Sequence, residues 1–165
     1  MTVNVVEGDL FADPAQVWVN AVNCVGVMGA GVAKHFKSRF PAYYLDYYTM
    51  CLDGQIELGR VDYYAIAPLA AAEPPPLFVV SFPTMLNPGE VARSADLREG
   101  LKSLREFAEY YWMTHLALPA LGCGIGKFEF DELKPYVEAE FDDPVFNVNL
   151  YKPFDMRKHL DNQNA

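Results

Sequence analysis

Val17 to Phe40, VWVNAVNCVGVMGAGVAKHFKSRF, is the stretch that decides the fold. Val17 to Val22 is an apolar, β-branched run suited to a buried strand, with Asn20 and Asn23 near its end. Gly26, Gly29 and Gly31 follow in a short loop, and a helix is predicted from about Val32 to Phe40, ended by Pro41. Strand, glycine loop and helix together suit a phosphate. Glycines let the backbone approach closely, and a helix N-terminus offers free N–H groups with a partial positive charge.

The rest of the chain repeats this alternation. Val3 to Val6 reads as a first strand, followed by the polar turn Glu7-Gly8-Asp9-Leu10; Asp13-Pro14 starts another turn. Pro41 opens a second helix, Ala42 to about Leu52, stopped by Asp53-Gly54. Its Tyr43, Tyr44, Tyr47 and Tyr48 form a stripe at helical spacing, read as packing and surface cover. Gly59 to Ala67 and Leu77 to Phe82 read as hairpin-like strands around a Pro- and Ala-rich turn at Ala70 to Pro76. Pro83 to Arg93 reads as a polar loop. Ser94 is expected to cap a long amphipathic helix with Leu97, Leu101, Leu104, Ala108 and Tyr111 on one side. Leu116 to Leu121 reads as a strand entering Gly122-Cys123-Gly124-Ile125-Gly126. Asp131 is expected to cap a helix to about Phe141, with Pro135 near its first turn, and Val145 to Tyr151 is the last strand.

This alternation predicts an α/β protein with a mixed, mostly parallel sheet and helices on both faces. Open sheets of this kind bind ligands at the carboxyl ends of their strands. The two glycine loops both follow strands, so they are expected to share one sheet edge and one cleft. Residues 1–152 are expected to form a single domain, with a polar tail over 153–165.

Composition narrows the chemistry. The 165 residues carry a net charge of −9, against a broad basic face for nucleic acid. Local contact with one modified nucleotide stays compatible with that charge. No apolar run reaches the roughly 18–20 residues of a membrane span, and no secretion signal is apparent. The three widely spaced cysteines form neither a disulfide framework nor a zinc pattern, so a reducing, cytoplasmic setting is expected and no metal or cofactor is implied. The P-loop pattern is absent, and Gly29-Ala30-Gly31-Val32-Ala33-Lys34 fails the dinucleotide fingerprint at its last position.

Four motifs in order are more specific. Gly8-Asp9-Leu10, Asn20-Ala21-Val22-Asn23, Gly29-Ala30-Gly31-Val32-Ala33 and Gly122-Cys123-Gly124-Ile125-Gly126 resemble the macrodomain family, and they cover nearly the whole chain. The resemblance implies a three-layer α/β/α fold and an ADP-ribose cleft. Asp9 would accept from the adenine amino group, the backbone at Leu10 would touch the adenine, and Tyr151 would flank it. Gly29, Ala30, Gly31 and Val32, with Gly122, Cys123, Gly124, Ile125 and Gly126, would cradle the diphosphate through backbone N–H groups. Asn20 would contribute to the ligand site, and Asn23 would bond the distal ribose. Read from the residues alone, Asp9 equally serves as a turn cap and Asn20 as a buried strut.

Asn23 to Gly29, Phe36-Lys37 to Phe40-Pro41, Phe82-Pro83-Thr84 and Leu121 to Gly124 are similar to one branch of that family. It includes antitoxin macrodomains that remove ADP-ribose from DNA (the DarG type) and terminal ADP-ribose protein glycohydrolases. In that branch a lysine central to catalysis follows the F-P-T stretch, and in the protein glycohydrolases an aspartate acts from the second loop. Here these positions are Met85 and Gly126. A thioether neither attacks an anomeric carbon as an amine does nor relays a proton. Three readings follow: binding without hydrolysis; hydrolysis by a water activated by the diphosphate and Asn23; or substitution by another residue, Lys127 or His35. Cys123 is a further candidate nucleophile, with small-residue packing as its alternative. The implied activity is ADP-ribosyl hydrolysis on nucleic acid or protein, with a toxin as a partner of the antitoxin type. A non-catalytic reader and an ADP-ribose 1″-phosphate phosphatase are the alternatives.

Overall fold

The computed structural model describes residues 2–66 and 76–153. Most of the expected Ala70–Pro76 turn and, beyond Pro153, the expected tail lie outside them. Strands β1 (Val3–Val6), β2 (Val17–Asn23), β3 (Asp62–Ala65), β4 (Phe78–Met85), β5 (His115–Leu118) and β6 (Asn147–Tyr151) form one sheet in the order β1-β6-β5-β2-β4-β3. Every neighbouring pair is parallel except β3 with β4. Helices α1 (Gly31–Arg39), α2 (Pro41–Leu52), α3 (Ser94–Tyr110) and α4 (Phe130–Glu140) complete the described chain. The expected mixed, mostly parallel α/β architecture is the one found.

Strand β2 shows how the layers arise. Successive side chains alternate faces. Val17 and Val19 enter a core with Val80, Phe82, Leu101, Leu104, Leu133 and Val137, under α3 and α4. Trp18 and Val22 enter a second core with Leu10, Phe36, Tyr43 and Tyr47, under α1 and α2. Both faces are covered, so the strand is a near-continuous apolar run with no alternation.

Several boundaries differ from expectation. Strand β4 runs past Phe82 through Pro83 to Met85. The pairing of β3 ends at Ser81, so Pro83 meets only β2, and a proline is tolerated where one side of a strand is open. Ser94 is the first helical residue of α3 and does not cap it; Arg93 holds the cap position with no side-chain bond. Glu129, not Asp131, precedes α4; Asp131 sits in its first turn, where a carboxylate suits the helix dipole. Pro135 lies inside α4, beyond the first turn. Strand β5 stops at Leu118, before Pro119, and β3 and β6 are shorter than expected.

Candidate functional site

β2 and β5 are neighbours in the sheet and parallel, so the loops after them leave at the same edge. The second loop closes on its own backbone. Phe128 N donates to Gly122 O at 2.8 Å, Lys127 N to Gly124 O at 3.1 Å, and Cys123 N to Ala120 O at 3.0 Å. Ala92 N ties the following loop of β4 to Gly126 O at 2.9 Å. Among the described residues, the amides of Gly124, Ile125 and Gly126 donate to no protein group. The Cys123 amide is already used, so the amides of this loop without a protein acceptor are those of Gly122 and residues 124–126.

The glycines sort into two kinds. Gly122 has φ +75°, and a Cβ there would stand 2.7 Å from Ala92 Cβ; at Gly126 it would stand 2.7 Å from Gly122 O. The fold itself demands these two. A Cβ on Gly124 would meet nothing within 4 Å, and one on Gly29 only Val27 at 3.9 Å, with no positive φ at either. Protein packing leaves these two glycines unexplained. Both stand in exposed loops where a ligand needs bare backbone.

The first loop leads into α1, whose cap residue Ala30 makes no side-chain cap bond. The first-turn amides of Gly31, Val32 and Ala33 have no intrahelical acceptor. Helix α1 carries Lys34, Lys37 and Arg39 and no acid, so the field here is cationic in a chain of net charge −9. Two arrays of free N–H groups thus emerge from neighbouring strands, an arrangement fit for a diphosphate.

What shapes the first loop comes from α2. Tyr47 Oη donates to Asn23 O at 2.7 Å and reaches Asn23 Oδ1 at 3.1 Å. Tyr44 Oη donates to Gly26 O at 3.0 Å. The Tyr48 ring lies so close that a Cβ on Gly26, whose φ is +87°, would be 2.8 Å from it. Within the tyrosine stripe, read from sequence as packing, Tyr44 and Tyr47 are polar clamps on the loop. The stripe's helical spacing was visible, but the targets of its hydroxyls were not.

Asn23 ends β2 and is 8% exposed. Its Oδ1 accepts from Val25 N at 3.1 Å and Val27 N at 3.3 Å, and its Nδ2 donates to Val27 O at 2.8 Å. Asn20, expected to contribute to the ligand site, lies within β2, three residues before Asn23. It is fully buried, and its Nδ2 donates to Tyr43 Oη at 3.1 Å and approaches Met28 Sδ at 3.7 Å. Tyr43 also pairs with Ser81 Oγ at 2.6 Å, so Asn20 is a strut tying β2 to α2 and β4.

After β1, parallel to these strands through β6 and so leaving at the same sheet edge, Asp9 Oδ1 accepts from Phe11 N at 2.9 Å and caps the 3-10 turn Leu10–Ala12. Asp9 is exposed and Leu10 is buried. Tyr151, at the end of β6, donates through Oη to Asp13 Oδ2 at 2.6 Å. Burial, reinforced by the Asp13 carboxylate, raises its phenol well above the usual tyrosine range. Asp13 is 4% exposed and also accepts from Ala15 N and Asn149 Nδ2. Sequence reading placed Asp13 in a turn only; its role in orienting Tyr151 had no local signal.

The catalytic candidates separate. A register slip between Val22 and Asn23 sets Asn23 opposite Met85, and Cys24 N donates to Leu86 O at 3.0 Å. Position 85 is therefore beside Asn23. Lys127 is exposed and left-handed, with φ 55°. His35 packs edge-on against Phe11, two residues after Asp9, with 6.0 Å between ring centroids. Burial pushes the Cys123 thiol up to about 11, which removes it as a ready thiolate. No group of residues able to hold a metal ion occurs among the described residues, and no described helix is long and apolar enough to cross a membrane.

A family model described as Macro domain matches residues 19–137. A DNA ADP-ribosyl glycohydrolase of Thermus aquaticus is 38% identical over 133 residues, covering 81% of this chain and 36% of that protein. The macrodomain of Mycobacterium tuberculosis DarG superimposes with a TM-score of 0.87 at 27% identity, covering 92% of this chain and 98% of that one. Thermosipho africanus DarTG, solved in complex with ADP-ribose, superimposes with a TM-score of 0.83 at 29% identity, over 93% of this chain and 42% of that one. The chain spans between 36% and 43% of the length of the first curated relatives it matches.

Proposed function

This chain belongs to the macrodomain family, and from that premise we propose that it binds ADP-ribose across the two glycine loops and hydrolyses its bond to a macromolecule. The observation that carries this reading is the pair Gly29 and Gly124, glycines that no packing or backbone strain requires, each set among free amides. In this reading residues 29–32 and 124–126 hold the diphosphate. Asp9 accepts from the adenine amino group, the Leu10 backbone touches the ring, and Tyr151, held by Asp13, flanks it. Asn23 donates to the distal ribose.

Nucleic acid is the favoured target over protein. The exposed large hydrophobic side chains on the loops after β2, β4 and β5 are aliphatic: Val25, Val27, Leu86, Val91 and Ile125. They suit the flat face of a base, and with a net charge of −9 the contact is confined to the modified nucleotide. Water oxygen bonds to C1″ of the distal ribose, the bond to the base breaks, and the base keeps a proton from that water. A cognate transferase acting as a toxin, and a reducing cytoplasm that keeps the three cysteines free, belong to this reading.

A second reading, binding without hydrolysis, is favoured by Met85 beside Asn23. Incubation with DNA and protein carrying ADP-ribose, following free ADP-ribose alongside calorimetric binding, separates the two. Release from modified DNA is the expected result. Micromolar binding with no release from either substrate leaves the reader, and absence of binding overturns both. Under the reader, Met85→Lys is the variant in which release would first appear.

A further inference from the structure

We propose that Tyr47 is a positioning residue that holds Asn23 at the end of β2, where the loop backbone directs its amide, so that Asn23 meets the distal ribose as a hydrogen-bond donor and never as an acceptor. The proposal rests on the reading of the cleft as an ADP-ribose site.

The argument is a count of donors and acceptors. An amide oxygen offers two lone pairs and an amide nitrogen two hydrogens. Asn23 Oδ1 faces three donors: the amides of Val25 and Val27 at 3.1 and 3.3 Å, and the Tyr47 hydroxyl at 3.1 Å. Its acceptor capacity is spent inside the protein. Nδ2 places one hydrogen on Val27 O at 2.8 Å, which leaves one hydrogen for a ligand. Turning the amide over would set its NH2 against two backbone N–H groups and its oxygen against a carbonyl. The network allows one orientation.

The Tyr47 hydroxyl also lies within hydrogen-bonding reach of the Cys51 thiol and the Gly26 main chain. The side chain is 1% exposed, and its shorter bond, 2.7 Å, goes to the Asn23 carbonyl at the register slip, where the β2–β4 ladder is irregular. Its one hydrogen lies chiefly on the main-chain carbonyl and is shared with Oδ1, so it holds the Asn23 main chain and keeps the side-chain oxygen turned toward the protein. Burial keeps the phenol protonated far above neutral pH, so the donor is permanent. Tyr43, one turn earlier and equally buried, directs its hydroxyl to Asn20 and Ser81 instead. It is a natural control: the same helix and the same residue type, with no contact to Asn23.

The chemical consequence is definite. Asn23 can polarise or orient a ribose oxygen by donating to it, and it cannot take a proton from water. Any activation of water must come from another group, such as the diphosphate.

The test compares ADP-ribose with ADP, which lacks the distal ribose, by calorimetry on the wild-type chain, Tyr47→Phe, Asn23→Asp and Tyr43→Phe, with a melting curve for each. The wild type should prefer ADP-ribose. Tyr47→Phe and Asn23→Asp should weaken ADP-ribose binding about tenfold while leaving ADP within about twofold. Tyr43→Phe should lower the melting temperature and keep the preference. A Tyr47→Phe variant that folds and keeps the wild-type preference overturns the proposal, as does a wild type without preference. If Tyr47→Phe does not fold, Asn23→Asp decides, and retention of the preference overturns the proposal. Failure of the wild type to bind either nucleotide instead overturns the ADP-ribose reading of the cleft.

Discussion

The two glycine loops occupy equivalent places, each at the carboxyl end of a neighbouring parallel strand, and they are built by opposite means. The loop at 122–128 is closed by main-chain bonds within itself, and its tight glycines face backbone and the Ala92 Cβ. The loop at 23–31 is held by side chains, its own Asn23 and, from about twenty residues further on, the tyrosines of α2. A loop held by its own backbone is fixed by local glycine spacing. A loop held by another element's side chains can be adjusted by changing that element, and it moves when that element moves. The second loop is thus a fixed half-cradle, and the first is the half whose geometry can be tuned.

The largest effect should come from crowding the fixed loop. Gly122→Ala forces a Cβ into a left-handed position 2.7 Å from Ala92 Cβ. Strain and overpacking together should cost about 2–4 kcal/mol. Gly26→Ala is also left-handed, but its close neighbour is the Tyr48 ring, which is 41% exposed and free to swing outward. Its cost should be smaller, about 1–2 kcal/mol. Urea unfolding of both variants checks the order. A Gly26→Ala loss equal to or above that of Gly122→Ala would break the contrast between a backbone-closed and a side-chain-held loop.

Next in size are Gly29→Ala and Gly124→Ala, one in each loop. Neither has a positive φ or a crowded Cβ, so stability should change by less than about 0.5 kcal/mol. ADP-ribose affinity should fall about tenfold for each, about 1.4 kcal/mol, because the methyl occupies the approach to free amides. Melting curves and calorimetry report the two quantities separately. A loss confined to one variant would assign the diphosphate to that loop alone.

How far sequence carries follows the same division. Apolar runs and helical periods point to each described strand and α-helix, since both faces of the sheet are covered and the patterns are strong. The second loop was legible because its shape depends on glycines a few residues apart. Pro83 hides the true end of β4, because whether a proline fits depends on the neighbour strand β3, whose pairing with β4 reaches no further than Ser81. Asn20 and Asn23 form one short motif, yet one is a fully buried strut and the other lies at the cleft. That separation is set by Tyr43 and Tyr47, whose spacing shows a helix face and says nothing of where the hydroxyls end. The role of Asp13 was hidden likewise, since Tyr151 is 138 residues away.

The smallest expected effect concerns the two loop cysteines, Cys24 in the first loop and Cys123 in the second. Burial is the first cause at each; neighbouring Cys51, Asp96, Glu57 and Glu90 add to it for Cys24, and Glu129 for Cys123. Both thiols are pushed up to about 11. A raised thiol pKa keeps the neutral form below that pH, so at pH 8 only about one molecule in a thousand carries a given thiolate. The thiolate is the species that reacts. Alkylation by iodoacetamide, followed by peptide mass spectrometry, should therefore be slow at pH 8 and rise about tenfold per pH unit to beyond pH 10 at both sites. Burial acts on both loops alike, so this is the one property in which the fixed loop and the clamped loop should not differ. A rate at Cys123 that levels off below pH 9 would reveal an activated thiol between its two glycines. The second loop would then be a reacting element and not only a cradle.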